Sequence, residues 1–275
     1  MPLPLTGPPN PVEEGRATNR LKSSEVLTAG PIVPNWLVPD ILCKGSMIVL
    51  AGDAGVGKSM LCYSLAVAQA SGRVFLGRQL YMEKVLYFDE ENSRQDSDAY
   101  HRRVWIGMGK PGIDVLDANL CLSHFSINGN PAVEMVRAAT AWKPGLIIVD
   151  TANSACGIDD ENDNAKAHKA IKMLRSVRDA SGRPDCTMLI LKHAKITHDK
   201  KGTEYREIRG AKTWKGELDG VIVHSAPRGR PPSHGRYRNT YLWPTKSRAF
   251  GLLQPIEIMP VCSGEGVRFD AKTPD

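Results

Sequence analysis

Eight consecutive residues, Gly52-Asp53-Ala54-Gly55-Val56-Gly57-Lys58-Ser59, set three glycines, a lysine and a hydroxyl at the spacing of a phosphate-binding loop. The glycines let backbone N–H groups converge on phosphate oxygens, and a helix beginning at the loop's end adds the positive pole of its dipole. In that role Lys58 contacts the β- and γ-phosphates and Ser59 ligates Mg²⁺. The chemistry expected is binding of Mg-ATP, with 52–60, from Gly52 through Met60, as the nucleotide-binding run.

A magnesium site of this kind needs a second ligand, a carboxylate at the end of a neighbouring buried strand. Asp150 closes the apolar run Gly145-Leu146-Ile147-Ile148-Val149 in that way. Hydrolysis needs one more group, which orients or deprotonates water. Asp89, Glu90 and Glu91 directly follow the run 84–88. Any one of the three meets the requirement, and periodicity does not choose among them.

A scaffold must bring these segments together. Residues 47–51 are wholly apolar, as a buried parallel strand requires, and 59–70 carry apolar residues at helical spacing. Residues 84–88, 120–125, 145–149 and 186–191 read as further strands, alternating with helices over 95–108, 131–141 and 165–180. Residues 220–223, 239–243 and 255–259 read as strands without long helices between them. The expected class is α/β, a mainly parallel central sheet leading into a strand-rich C-terminal portion. Residues 1–30 read as a Pro-rich disordered tail, 31–42 as an irregular strap, 31–260 as the ATPase domain, and 261–275 as a C-terminal tail. The polar, Lys-rich stretch 194–209 reads as a loop.

The motifs also occur in a recognisable order. After the P-loop come Tyr87-Phe88-Asp89-Glu90-Glu91-Asn92, His101-Arg102-Arg103, Val149-Asp150-Thr151, Glu161-Asn162, and a strand ending Leu189-Ile190-Leu191-Lys192-His193. Over residues 33–224 the chain resembles the RepA-like hexameric replicative helicases of plasmids and phages, within the wider RecA, RadA and DnaB-type ATPases. The resemblance implies a RecA-like core, a hexameric ring, single-stranded DNA as the track, and replication partners such as a primase. It implies Glu91 as the catalytic glutamate, Asp150 as the second magnesium carboxylate, and His193 as a sensor of the γ-phosphate. It also sets one of Arg102 and Arg103, taken as Arg103, on the nucleotide of the same subunit. The chain departs from the plasmid helicases near 219–223, where they carry an arginine finger and this sequence has Val221-Ile222-Val223. Lys246-Ser247-Arg248 instead resembles the Lys-x-Arg element of DnaB-type motors, so Arg248, with Lys246 beside it, is expected to reach a neighbour's nucleotide.

Composition narrows the partners. With 41% hydrophobic and 24% charged residues, the chain is ordinary for a soluble domain. No apolar run approaches the roughly 20 residues of a membrane span, and the start of the chain lacks a signal-peptide pattern, so a cytoplasmic location is expected. The six cysteines form no Cys-x-x-Cys pair, which argues against a zinc or disulfide framework. The formal charge of +6 is uneven, because 192–248 hold fourteen Lys and Arg against five Asp and Glu. Such a segment suits a polyanionic partner or a solvated surface equally well. Lys195, Lys200 and Lys201 are the candidate phosphate contacts on DNA. The loop after Asp150 is acidic (Asp159, Asp160, Glu161, Asp163) and is not assigned to DNA. Arg228, Arg230, Arg236 and Arg238 fall in a Pro- and Gly-rich hairpin tip that suits nucleic acid or solvent. Two other readings stand beside a replicative motor: a RadA- or KaiC-like recombination or repair ATPase, and a nucleotide-dependent switch or loader that does not translocate.

Overall fold

A computed structural model of the chain describes residues 23–28, 34–125, 129–198, 204–210, 212–226, 239–248 and 254–272. The chain divides into two units, Met1–Pro34 and Asn35–Asp275. Within the first, α1 (Ser23–Thr28) gives a helical turn to the end of the stretch expected to be a tail.

The second unit opens on a ribbon, β1 (Trp36–Val38) and β2 (Leu42–Cys43), where an irregular strap was expected. Next is β3 (Met47–Gly52), buried at all six positions because helices cover both faces. It leads through the P-loop into α2 (Lys58–Ser71). A short ribbon follows, β4 (Val74–Phe75) with β5 (Arg78–Gln79), and then β6 (Val85–Asp89). Helix α3 (Arg94–Gly107) starts where the Ser93 side chain accepts from the Asp96 backbone N–H. After α4 (Ile113–Asn119) and β7 (Leu120–Ser123) comes α5 (Pro131–Trp142), with proline in its first turn and Asn130 as its cap. Strand β8 (Leu146–Asp150) precedes the short α6 (Ala152–Cys156) and α7 (Asn164–Asp179), which Asp163 caps. Then come β9 (Thr187–His198), β10 (Glu204–Ile208), α8 (Thr213–Glu217), β11 (Gly220–Ser225), β12 (Thr240–Ser247), β13 (Ile256–Ser263) and β14 (Gly266–Lys272).

These strands form one sheet in the order β14-β13-β12-β11-β3-β9-β8-β6-β7, with β10 paired to β9 off that path. From β11 to β7 every pairing is parallel; β12, β13 and β14 add antiparallel strands at one edge. One core lies under α2, α3 and α4, and a second under α5, α6, α7 and the Trp214 of α8. The six cysteines are free. No helix among the described residues is long and apolar enough to cross a membrane.

Two expectations need correction. The stretch 194–209 is largely a hairpin: β9 runs on past the core to His198 and β10 returns along it, Ile208 opposite Ala194. Its lysines hid the strand, because polar side chains on a ribbon that leaves the core carry no apolar period. The segment 261–275 is not a tail through Lys272. Val267 and Phe269, two apart on β14, are buried in the same core as α2, and the turn at Gly264 (φ 57°) lets β14 fold back on β13. The loop residues Lys200 and Lys201, and Arg228, Arg230, Arg236 and Arg238, lie outside the described residues.

The β14 edge touches α3 closely enough to be tested. A Cβ on Gly266 would lie 2.5 Å from the Gly107 nitrogen, and a Cβ on Gly107 would strike the Val267 backbone. Gly107→Ala should therefore destabilise the domain by about 1–3 kcal/mol through overpacking, although alanine favours a helix. Chemical denaturation measures it, and a more stable variant would show that β14 does not dock there.

Candidate active site

Parallel pairing in register brings the carboxyl ends of separate strands to one edge. Gly52 of β3 lies opposite His193 of β9, and Asp89 of β6 opposite Asp150 of β8. The P-loop leaves β3 there. Gly57, at φ 97°, takes the left-handed conformation that starts α2. Gly52 passes so close to β11 that a Cβ would sit 2.6 Å from the His224 carbonyl oxygen. Lys58 is only 7% exposed, and its Nζ donates to the carbonyls of Gly52 (3.0 Å) and Asp53 (3.1 Å). Burial lowers the pKa of its ammonium, while the carboxylates of Asp150 and Glu91 oppose that shift.

Around Lys58 opens a cleft of about 400 Å³. Ala54, Gly55, Gly57, Lys58, Ser59 and Met60 line one side; Glu91, Asn92, Tyr100, Arg103, Asp150 and His193 line the rest. Residues from five stretches of sequence thus meet in one space. Arg103 lines it and Arg102 does not.

The three adjacent acids point to different places. Asp89 is buried and already satisfied: Tyr63 Oη (2.8 Å), Ser97 Oγ (2.6 Å) and the Asn92 amide all donate to it. Glu90 turns to the far side, where its carboxylate accepts from the Phe125 backbone N–H at 2.8 Å; burial pushes its pKa up to about 7. Glu91 alone of the three faces the cleft, with Oε1 3.5 Å from His193 Nε2.

Asp150 is 1% exposed. Its Oδ2 accepts from Tyr87 Oη at 3.0 Å, and Oδ1 is buried without a hydrogen-bond partner among the described residues. Burial, with the Asp89 charge added, pushes this carboxyl up to about 7, although a hydrogen bond from Ser59 works the other way. An orphaned carboxylate oxygen beside a serine hydroxyl is a donor set that fits Mg²⁺, a hard cation that takes one or two protein oxygens and completes its shell with phosphate and water. Among the described residues, no group of three or more His, Cys, Asp or Glu stands together as a metal-holding cluster. Tyr63 and Tyr87, which hold Asp89 and Asp150, stack on each other at 4.5 Å and 17°.

Lys246 and Arg248 do not join this cleft. Ser247 lies opposite Gly220, which pairs with Ile48, whereas the P-loop leaves from Gly52. Four residues of strand separate the two levels, about 13 Å at the usual rise. Both side chains turn to the end of α8: Lys246 Nζ donates to the Leu218 carbonyl at 2.6 Å, and Arg248 to that of Glu217 at 3.4 Å. Asp53 lies in the loop without lining the cleft, and its carboxylate meets Arg206. Sequence reasoning missed Asn92, Tyr100 and Arg206. Asn92 was legible as the neighbour of the acids, but nothing in the spacing of Tyr100 or Arg206 marks them.

Residues 14–199, more than half of the chain, match the AAA_25 family, described as an AAA domain. No curated protein matches the chain. Among solved structures, a KaiC-like protein from the hyperthermophilic archaeon Pyrococcus horikoshii aligns with a TM-score of 0.54 at 15% identity, over 85% of this chain and 93% of that one. At that identity the likeness is one of fold, a RecA-like P-loop core. The chain belongs to the AAA_25 family of AAA domains and carries the RecA-like P-loop ATPase fold.

Proposed function

We propose that this chain binds Mg-ATP in the cleft beside Lys58, hydrolyses it, and uses the cycle to move on single-stranded DNA as the motor of a replicative helicase in the cytoplasm. The observation that carries the reading is the convergence of Lys58, Ser59, Glu91, Asp150 and His193 on one cleft. Lys58 exchanges the carbonyls of Gly52 and Asp53 for phosphate oxygens. Ser59 and Asp150 hold Mg²⁺, which when bound neutralises charge on the phosphates. Glu91 orients the attacking water and takes up its proton, and His193, against Glu91, links that step to the strand beyond it. Arg103 and Tyr100 close the nucleotide's side of the cleft.

The glutamate assignment separates neighbours. Glu91→Gln should bind ATP yet hydrolyse it about 10²–10⁴-fold more slowly, while Glu90→Gln stays near the unmodified rate. Steady-state ATPase assays decide, and a dead Glu90→Gln beside an active Glu91→Gln would reverse the choice.

The DNA reading draws on the charge of 192–248 and on the β9–β10 hairpin, which extends past the nucleotide level with Lys195 exposed. Affinity for single strands should fall steeply with salt as counterions are released, and replacing Lys195, Lys200 and Lys201 by Ala should flatten the slope by about 2–3. An unchanged slope moves the DNA contacts elsewhere. A RadA- or KaiC-like recombination or repair ATPase is the second reading. It is favoured by β11, whose six residues are all buried and which has Val221-Ile222-Val223 at the plasmid helicases' finger position. Unwinding of a forked duplex distinguishes the two.

The position of Lys246 and Arg248, out of reach of their own cleft, supports a ring. In a hexamer Arg248 would act on the neighbour's γ-phosphate, leaving its contacts with the end of α8, and a primase would be a partner of the assembled motor. Mixing Lys58→Ala with Arg248→Ala should restore part of the ATPase activity, since some interfaces then pair an intact loop with an intact finger. No recovery after proven subunit exchange would exclude the arrangement.

A further inference from the structure

Asp53 puts a carboxylate into a loop that, on the reading above, wraps a polyphosphate. Lys58 Nζ lies 3.1 Å from the Asp53 carbonyl oxygen, so the residue that carries this carboxylate adjoins the ammonium that would meet phosphate, while the carboxylate itself turns away from the cleft to Arg206. A negative charge in the loop opposes the approach of another. No basic residue in the loop other than Lys58 offsets it.

The counter-charge comes from far along the chain. Arg206 Nε donates to Asp53 Oδ2 at 2.8 Å, and both side chains are partly buried, at 21% and 36% exposure. Arg206 stands on β10 opposite Ile196 of β9, and at the base of the hairpin Arg209 N–H donates to the His193 carbonyl at 2.8 Å. One ribbon therefore meets the nucleotide site twice. Its β9 strand sets His193 against Glu91, and its β10 strand sets Arg206 against the P-loop.

We propose that Arg206 is a positioning residue of the phosphate-binding loop, which neutralises Asp53 so that the loop accepts a triphosphate. The proposal rests on ATP binding in this cleft. Fold stability is not the role assigned to this partly buried pair. The pair sets the local potential where phosphate arrives and fixes the loop to the hairpin. Its weight is greater for ATP than for ADP, because the γ-phosphate adds negative charge beside Lys58 and Asp53.

The test measures dissociation constants of fluorescent ATP and ADP analogues, with Mg²⁺, on the full chain. Arg206→Gln should weaken ATP about tenfold or more, since removing one member of a partly buried pair leaves the other charge uncompensated, and should weaken ADP distinctly less. Adding Asp53→Asn to Arg206→Gln should return ATP affinity to near that of the unmodified chain, and Arg206→Lys should fall between. The proposal is overturned if Arg206→Gln binds ATP normally, if ATP and ADP weaken equally, or if Asp53→Asn brings no recovery. Should Arg206→Gln fail to fold, as a thermal melt shows, the double variant and Arg206→Lys still decide by the same comparison. An unmodified chain that does not bind ATP overturns the parent reading, and this one with it.

Discussion

The register of four parallel strands governs the rest of the molecule. β3, β9, β8 and β6 are buried on both faces, and their pairing aligns Gly52 with His193 and Asp89 with Asp150. A slip of one residue would turn every side chain to the opposite face, away from its own core. The amino ends hold that register. Asp219 Oδ2 accepts from the Met47 N–H at 2.9 Å, Thr187 N–H donates to the Gly145 carbonyl, and Met188 N–H to that of Ser46. Arg183 bridges the same end by donating to both oxygens of Glu83, at 2.5 and 2.9 Å. The polar locks sit at one edge, so the other edge is left for chemistry.

That chemistry requires buried charge, which is unfavourable unless the surroundings provide partners. The stacked pair Tyr63 and Tyr87 delivers a hydroxyl to each of Asp89 and Asp150 from within the core of α2. Lys192, just before His193, is buried over the Trp214 ring and donates to Asn153 Oδ1 at 2.6 Å; burial pulls its pKa down to about 8, against the Glu161 charge. The core thus fixes these buried polar groups through specific hydrogen bonds. Asp150 Oδ1 is one of the buried polar atoms where such provision stops.

The hairpin joins the two ends of this design. β9 starts in the core, passes the nucleotide level at His193 and leaves the sheet, while β10 returns to the P-loop through Arg206. The paired strands β9 and β10 thus connect His193, which faces Glu91, with Arg206, which holds Asp53.

The sequence by itself determined the alternation of buried runs and helices, the P-loop, and the strand-end acid Asp150, because each is local: an apolar run of five needs burial on both faces, and glycines at fixed spacing need a tight turn. It narrowed the acid expected to activate water to three neighbours and, through family resemblance, led to the expectation of Glu91. Only the tertiary structure separates these by environment, since Asp89 and Glu90 meet Tyr63, Ser97 and Phe125 from segments whose distance along the chain says nothing about contact. The same holds for Arg206, 153 residues from Asp53. It holds too for β14, whose place was decided by the close approach of Gly107 and Gly266 and not by any strong period of its own. The levels of Lys246 and Arg248 follow from antiparallel pairing, which returns β12 to the amino ends of the strands and so carries both residues away from the cleft of their own chain.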